Sequence, residues 1–322
     1  HVIQENKPVF IMIWGFRKSI LVFALKFKII GLSTSLVFVL LIFILFDAYE
    51  INQISPNEIE NTKILNVEFL KKNGSYGKEI GQFDNPRSLE FFNNQLFVLD
   101  SGNNRVQVFS NNLDFESVIN LPIQSKNPPQ GIAVTNDRIF VVYTYDYEIK
   151  IFDYNGKILG KFPVSWTTDL IADENFLYVL EPHAKSIQVY DHFGVLVKQF
   201  DAHENVHYLN SNKKNLIASG PHPSVNIAPE ILIYDKNSGT LEQRFPTTGL
   251  ESFSAITEDN IFFLEFDTIK VLDFNGNLVY EHDMERGIDS VIRHSQIEIN
   301  DNIVYVSDTI DNSIKILKII YE

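Results

Sequence analysis

The chain contains no cysteine, which removes disulfide staples, thiolate metal sites and cysteine nucleophiles from consideration. A glycine-rich phosphate loop and a Gly-x-Ser-x-Gly elbow are missing too, so the sequence offers no start for nucleoside-triphosphate or α/β-hydrolase chemistry. Basic patches are equally scarce. The formal net charge is −14, and residues 1–46 alone hold Lys7, Arg17, Lys18, Lys26 and Lys28 against the single acid Glu5. The rest of the chain is therefore more acidic still. A domain of that charge repels phosphate backbones at long range, and nucleic acid is not an expected partner.

Long apolar runs are absent with one exception, the 18 uncharged residues Ile29–Phe46. As a helix this run measures about 27 Å, close to a bilayer's hydrocarbon thickness. It lacks the small-x-small site of a cleaved leader, because it ends in Leu45-Phe46-Asp47-Ala48-Tyr49. Lys26 and Lys28 can extend their stems toward headgroups, and Trp14 suits the interface. Basic residues cluster before the run, and Asp47 and Glu50 follow it. The expectation is a short cytoplasmic N-terminus (1–28), a transmembrane helix (29–46), a tether (47–61) and a globular part (62–322) outside the cytoplasmic membrane. The chain begins at His1, and its methionines are Met12 and Met284. A start at Met12 or upstream leaves this topology unchanged.

What is present beyond residue 61 is repetition. Residues 81–109 read as a short apolar segment, a polar turn, the strand Leu96-Phe97-Val98-Leu99 ending on Asp100, a second turn, and the alternating strand Val106-Gln107-Val108-Phe109. The same order returns around Ile139–Phe152, Phe176–Tyr190, Leu216–Tyr234, Ile261–Leu272 and Ile303–Leu317. A period of roughly 40 residues with about four short strands per unit is the signature of a β-propeller. Ile64–Leu70 precedes the first full copy and the last copy stops short of an outer strand, so the N-terminal segment is expected to complete the final blade. Asn155-Gly156, Phe193-Gly194, Ser238-Gly239 and Asn275-Gly276 read as hairpin turns between third and fourth strands.

The run Gln82-Phe83…Pro86…Leu96-Phe97-Val98-Leu99-Asp100-Ser101-Gly102-Asn103-Asn104-Arg105-Val106-Gln107-Val108-Phe109 resembles an NHL repeat. The later copies keep its frame without the Asn-Arg pair. The resemblance implies an all-β, six-bladed propeller of four-stranded blades over about residues 62–322. It implies no single function, since the family hosts adaptors, nucleic-acid binders and a few lyases.

Aligning the copies places Arg87, Gln130, Thr168, His207, Ser252 and Ser295 as a ring at the start of the inner strands. Ser88, Gly131, Asp169, Tyr208, Phe253 and Gln296 lie beside it. The ring is polar and mixed, and no stack of carboxylates is expected at the centre. Arg87, Gln130, Thr168, Asp169, His207, Tyr208, Ser252 and Ser295 together form the expected binding face. His203-Glu204-Asn205-Val206-His207 matches H-E-x-x-H in letters only. Between two strands its histidines would stand about 13 Å apart, too far to share a zinc ion. A looser set, His183, His203, His207 and His222, projects toward one face and could hold zinc or copper, with Glu181 or Glu204 assisting. Asp100-Ser101-Gly102-Asn103-Asn104 looks like a fragment of a calcium loop but lacks its distal glutamate. A tight turn with Gly102 at positive φ is expected instead.

No cofactor is required by this sequence. The expected function is a binding scaffold for a protein, peptide or glycan. The alternatives are metal-dependent lyase or hydrolase chemistry at the histidines, and an accessory role in a membrane complex.

Overall fold

The structure is a computed structural model that describes residues 64–122, 127–167, 169–202, 206–220, 230–246, 253–265, 268–283 and 296–322. The expected cytoplasmic segment, membrane helix and tether lie outside these residues. Among the described residues no helix is long and apolar enough to cross a membrane. Thr62–Glu322 forms one compact unit.

Its strands begin with β1 (Ile64–Asn73) and then fall into four-stranded sets. Blade one is β2 (Pro86–Phe92), β3 (Gln95–Asp100), β4 (Arg105–Ser110) and β5 (Phe115–Asn120). Blade two is β6 (Gly131–Val134), β7 (Ile139–Tyr143), β8 (Glu148–Phe152) and β9 (Ile158–Pro163). Blade three is β10 (Asp169–Ala172), β11 (Phe176–Glu181), β12 (Ser186–Asp191) and β13 (Leu196–Asp201). Blade four is β14 (Tyr208–Ser211), β15 (Asn215–Gly220), β16 (Glu230–Asp235) and β17 (Leu241–Pro246). Blade five is β18 (Phe253–Ile256), β19 (Asn260–Glu265), β20 (Thr268–Asp273) and β21 (Leu278–Asp283). The sixth is β22 (Ile297–Asn300), β23 (Ile303–Asp308) and β24 (Ser313–Tyr321), with β1 antiparallel to β24 as its outer strand. The six inner strands neighbour one another in order, and β22 meets β2, so the ring is closed. This unit is thus an all-β, six-bladed propeller whose last blade is completed by its first strand, β1, as the sequence led one to expect.

The second strands are apolar at consecutive positions because both faces of each blade are covered by its neighbours. Phe97, Leu99, Val106 and Val108 of blade one pack with Ile132, Val134, Ile139 and Val141 of blade two. On the other side Leu96, Val98 and Phe109 meet Tyr305, Ile314 and Ile316 of blade six. Outer strands face water, and β5 and β9 accordingly bury only Ile119 and Phe162.

The glycine hairpins form as expected, with Gly156, Gly194, Gly239 and Gly276 at φ of 79°, 85°, 72° and 81°. The Asp100–Asn104 turn differs from expectation in one residue. Gly102 is not at positive φ; Asn104 takes the left-handed conformation, at φ 50°. Gly102 is needed for space, since a Cβ there would sit 2.5 Å from Asp84 Cγ and 2.8 Å from Asp84 O. Tyr147, Lys185 and Asn312 hold the same left-handed position in blades two, three and six. The turn therefore survives where the Asn-Arg pair does not.

The Asp100 carboxylate is fully engaged by protein. It accepts from the Asp84 N–H at 2.7 Å, Asn103 Nδ2 at 2.9 Å and Arg105 Nε at 2.8 Å. Arg105 also donates to the carbonyls of Lys78, Glu79 and Gln82, clamping the segment after β1 onto blade one. Blade six repeats the device with Lys315 and Asp308 at 2.8 Å. These residues hold the turn, which accounts for the apparent calcium-loop fragment.

Candidate functional site

Every inner strand starts on one face of the ring, and the turns after β3, β7, β11 and β23 return to it. Of the expected binding residues, Arg87, Gln130, His207 and Tyr208 are described at this entry face, and Asp169 lies below it in the channel. Arg87 is half-buried at the start of β2, and Gln130 precedes β6 with its Nε2 donating to Pro128 O at 2.9 Å. His207 and Tyr208 stand at the start of β14, His207 buried and Tyr208 half-buried. Thr168, Ser252 and Ser295 lie outside the described residues, as do His203 and His222.

Trp166, which the sequence reading passed over, joins two of the candidate histidines. Its indole stacks on His183 with ring centroids 4.6 Å apart and planes 13° apart. It also meets His207 edge-on at 6.0 Å. His183 is exposed on the turn after β11, while Trp166 is half-buried just before β10. Nearby on blade two, Tyr145 and Tyr147 are exposed by 60% and 55%. Among the described residues no three His, Asp or Glu side chains gather closely enough to hold a metal ion.

Below the mouth, the centre is not what the sequence suggested. Glu90 of β2, Asp169 of β10 and Glu298 of β22 converge in the central channel, correcting the expectation that no carboxylates gather there. Leu89, Ile132, Leu170, Leu209 and Ile297 complete much of the wall at this level, where the free space is about 20 Å³. Farther along, toward the opposite face, the channel widens to about 180 Å³ beside Glu90, Asn210, Ser211 and Glu298. The narrow part has room for about one water, the wider part for several.

Asp169 is buried and accepts from the N–H groups of Leu170 and Leu209, both at 2.9 Å, and from Gln296 Nε2 at 3.4 Å. Glu298 accepts from Asn210 Nδ2 at 3.4 Å. Burial, opposed by those donors, pushes the Asp169 carboxyl up to about 7. Burial and then the charge of Asp169 push Glu298 up to about 8. Glu90 is raised well above the usual carboxylate range by burial, then by Glu298 and Asp169, with Lys236 opposing. Lys236 itself is buried and committed to Asp173 at 3.0 Å. Asp169, with two backbone donors aimed at it, is the member best prepared to carry charge, and that charge keeps its neighbours protonated.

Glu90 and Glu298 were discoverable. They occupy the same position in the first and last repeats, two residues beyond Ser88 and Gln296, and ring closure makes those repeats adjacent.

Comparison with known proteins bears on the fold. The NHL repeat profile matches residues 83–109. No curated protein matches the chain by sequence. A streptogramin B lyase structure is similar over 79% of this chain and 98% of its own, with a TM-score of 0.55 and 10% identity. Virginiamycin B lyase from Staphylococcus aureus is similar over 79% of this chain and 99% of its own, with a TM-score of 0.51 and 10% identity. Raptor from Chaetomium thermophilum gives 0.51 and 14% identity over 79% of this chain, which spans only 30% of Raptor's length. At these identities the likeness extends to the propeller fold alone.

Proposed function

We propose that this propeller is a binding module, held on the outer side of the cytoplasmic membrane by residues 29–46, which engages a protein, peptide or glycan through its entry face. The observation that carries this reading is the aromatic rim shared by adjacent blades. Tyr145 and Tyr147 stand exposed on blade two, and Trp166 stacks on His183 in blade three. Tyr208 follows in blade four beside the channel. Rings of this kind supply large contact area with little side-chain entropy to lose, and they dominate the energetics of many interfaces. The disk behind them is stiff, because each blade is packed on both sides. Its work would be complementarity, with no bond made or broken. Membrane attachment rests on the uncharged run and on the basic residues that precede it.

A photo-crosslinking residue placed at Tyr145 should capture a partner in cells, whereas one placed at Phe193, on the opposite face, should not. Tyr145→Ala with Tyr147→Ala should weaken the captured complex by about 2 kcal/mol, in the range of interface hot spots. Crosslinks from Phe193 alone would move the binding surface to the other face and end this reading.

A further inference from the structure

Arg87 stands apart from the other arginines among the described residues. Arg105 holds Asp100, Arg138 holds Asp137 and Arg244 holds Glu230. The Arg87 guanidinium has no carboxylate or carbonyl partner among the described residues. The groups that act on it electrostatically are the phenols of Tyr208 and Tyr145, and neither is a carboxylate. Burial lowers its pKa from the ordinary value. Scarcity of acids is not the reason, since the chain has 41 acidic residues against 27 basic ones. Removing a cation from water without a partner is costly, and an incoming anion would recover that cost.

The backbone sets how this side chain leaves its strand. In the β2–β3 ladder, Pro86 pairs with Asp100 and Ser88 with Leu99, which leaves Arg87 as an extra residue in a bulge. The ladders of β6 and β14 begin one residue beyond the equivalent position, where the Gln130 and His207 N–H groups bond the carbonyls of Val142 and Ser219, the residues opposite Gly131 and Tyr208. A bulge bends its strand and re-aims the inserted side chain, and bulges are enriched beside functional sites. Here the re-aimed residue is the cation at the mouth of the channel that has no carboxylate or carbonyl partner among the described residues.

The anion it fits is singly charged. Asp169, Glu90 and Glu298 lie farther down the same channel, and the domain's overall charge is negative, so a polyanion would be repelled. A guanidinium matches one carboxylate through two parallel N–H donors. Tyr145 and Tyr208 beside it favour a carboxylate attached to a body that rings can cover. We propose that Arg87 is the receptor for a single carboxylate borne by a peptide partner, at its C-terminus or on a side chain. This rests on the entry-face reading and adds the chemistry by which that face selects its ligand.

The test uses the full chain and follows the Arg87 Nε–H resonance, assigned by its disappearance in Arg87→Gln. N-acetylphenylalanine should shift it saturably, and N-acetylphenylalanine amide should bind at least ten-fold more weakly. Arg87→Gln should lose at least ten-fold in affinity for the acid with an unchanged melting curve. Arg87→Lys, which keeps the charge without the fork, should fall between. An N-acetyl-aspartyl amide that binds as well as the terminal acid would support side-chain recognition and keep the proposal. Equal response to acid and amide overturns it. So does a preference for methyl phosphate, or for glucuronate with no response to the peptide acids. Crosslinking at Tyr145 without carboxylate discrimination would sink this inference alone. Carboxylate binding at Arg87 with crosslinks only from Phe193 would sink the partner reading instead.

Discussion

Deleting residues 62–80 is expected to abolish the cooperative unfolding transition of the propeller, although the deleted segment forms only one strand. That strand, β1, is the outer member of the blade that closes the ring, paired with β24 from Ile64↔Tyr321 to Asn73↔Ile314. Ile64 and Val67 are buried with Leu317 and Ile319 of blade six and with Phe262 and Val271 of blade five. The Val67 N–H donates to the Tyr280 hydroxyl at 3.1 Å, tying the strand to the neighbouring blade as well. Two buried aliphatic side chains contribute roughly 1.5–3 kcal/mol each. A domain's whole margin is about 5–15 kcal/mol, so the loss is a large share of it. The deletion also removes the carbonyls of Lys78 and Glu79 that Arg105 bonds, and it bares the edge of β24. Circular dichroism melts should show a broad, early transition, and size-exclusion chromatography should show association through the bared edge. Adding a peptide of residues 62–80 in trans should restore part of the transition. A deletion variant that melts at the wild-type temperature would show that closure by β1 contributes little.

The parts of this architecture that were legible in the sequence are those written in local pattern. Leu96–Leu99 and Phe140–Val142 read as strands because covering both blade faces demands consecutive apolar residues, and that demand is local. Asn155-Gly156 reads as a hairpin because positive φ is a local requirement. Closure was legible because a half-blade at one end and a missing outer strand at the other imply each other. Gly102 was misread because its constraint comes from Asp84, brought against it only by the fold. The channel carboxylates were missed for a related reason. Glu90 and Glu298 are more than two hundred residues apart, and they become neighbours only when the ring shuts. Trp166 looked like one more aromatic in an aromatic-rich chain, and its stacking on His183 depends on a turn that returns to the entry face. No sequence signal marks Arg87 as lacking a carboxylate partner among the described residues, since pairing is decided by which acids the blades bring within reach.

Raising the pH from about 5 to about 9 is expected to destabilise the propeller, with the central carboxylates as the cause. Asp169 is pushed up to about 7 and Glu298 to about 8, both by burial first. A carboxyl whose folded-state pKa is raised binds more protons folded than unfolded, so its contribution is fully present below about pH 4 and is lost as pH rises through 7 and 8. Each shifted unit corresponds to 1.36 kcal/mol, and three coupled groups cannot each deliver their full shift, so the expected loss is about 2–4 kcal/mol. The depressed surface carboxylates, Asp137 held down by Arg138 and Asp311 by Lys72, act with opposite sign but titrate below this window. Glu90→Gln with Glu298→Gln keeps the shape of the channel wall while removing two of the charges that must otherwise be held neutral. That variant should melt higher than wild type at pH 9, differ little at pH 5, and show a flattened profile between them. The measurement is melting temperature against pH at constant ionic strength for both proteins. A wild-type profile that stays flat or rises toward pH 9 would mean that the three carboxylates are solvated and ionised. The channel would then be an open, water-filled pore, whereas a falling profile identifies it as a proton-holding plug beneath the binding face.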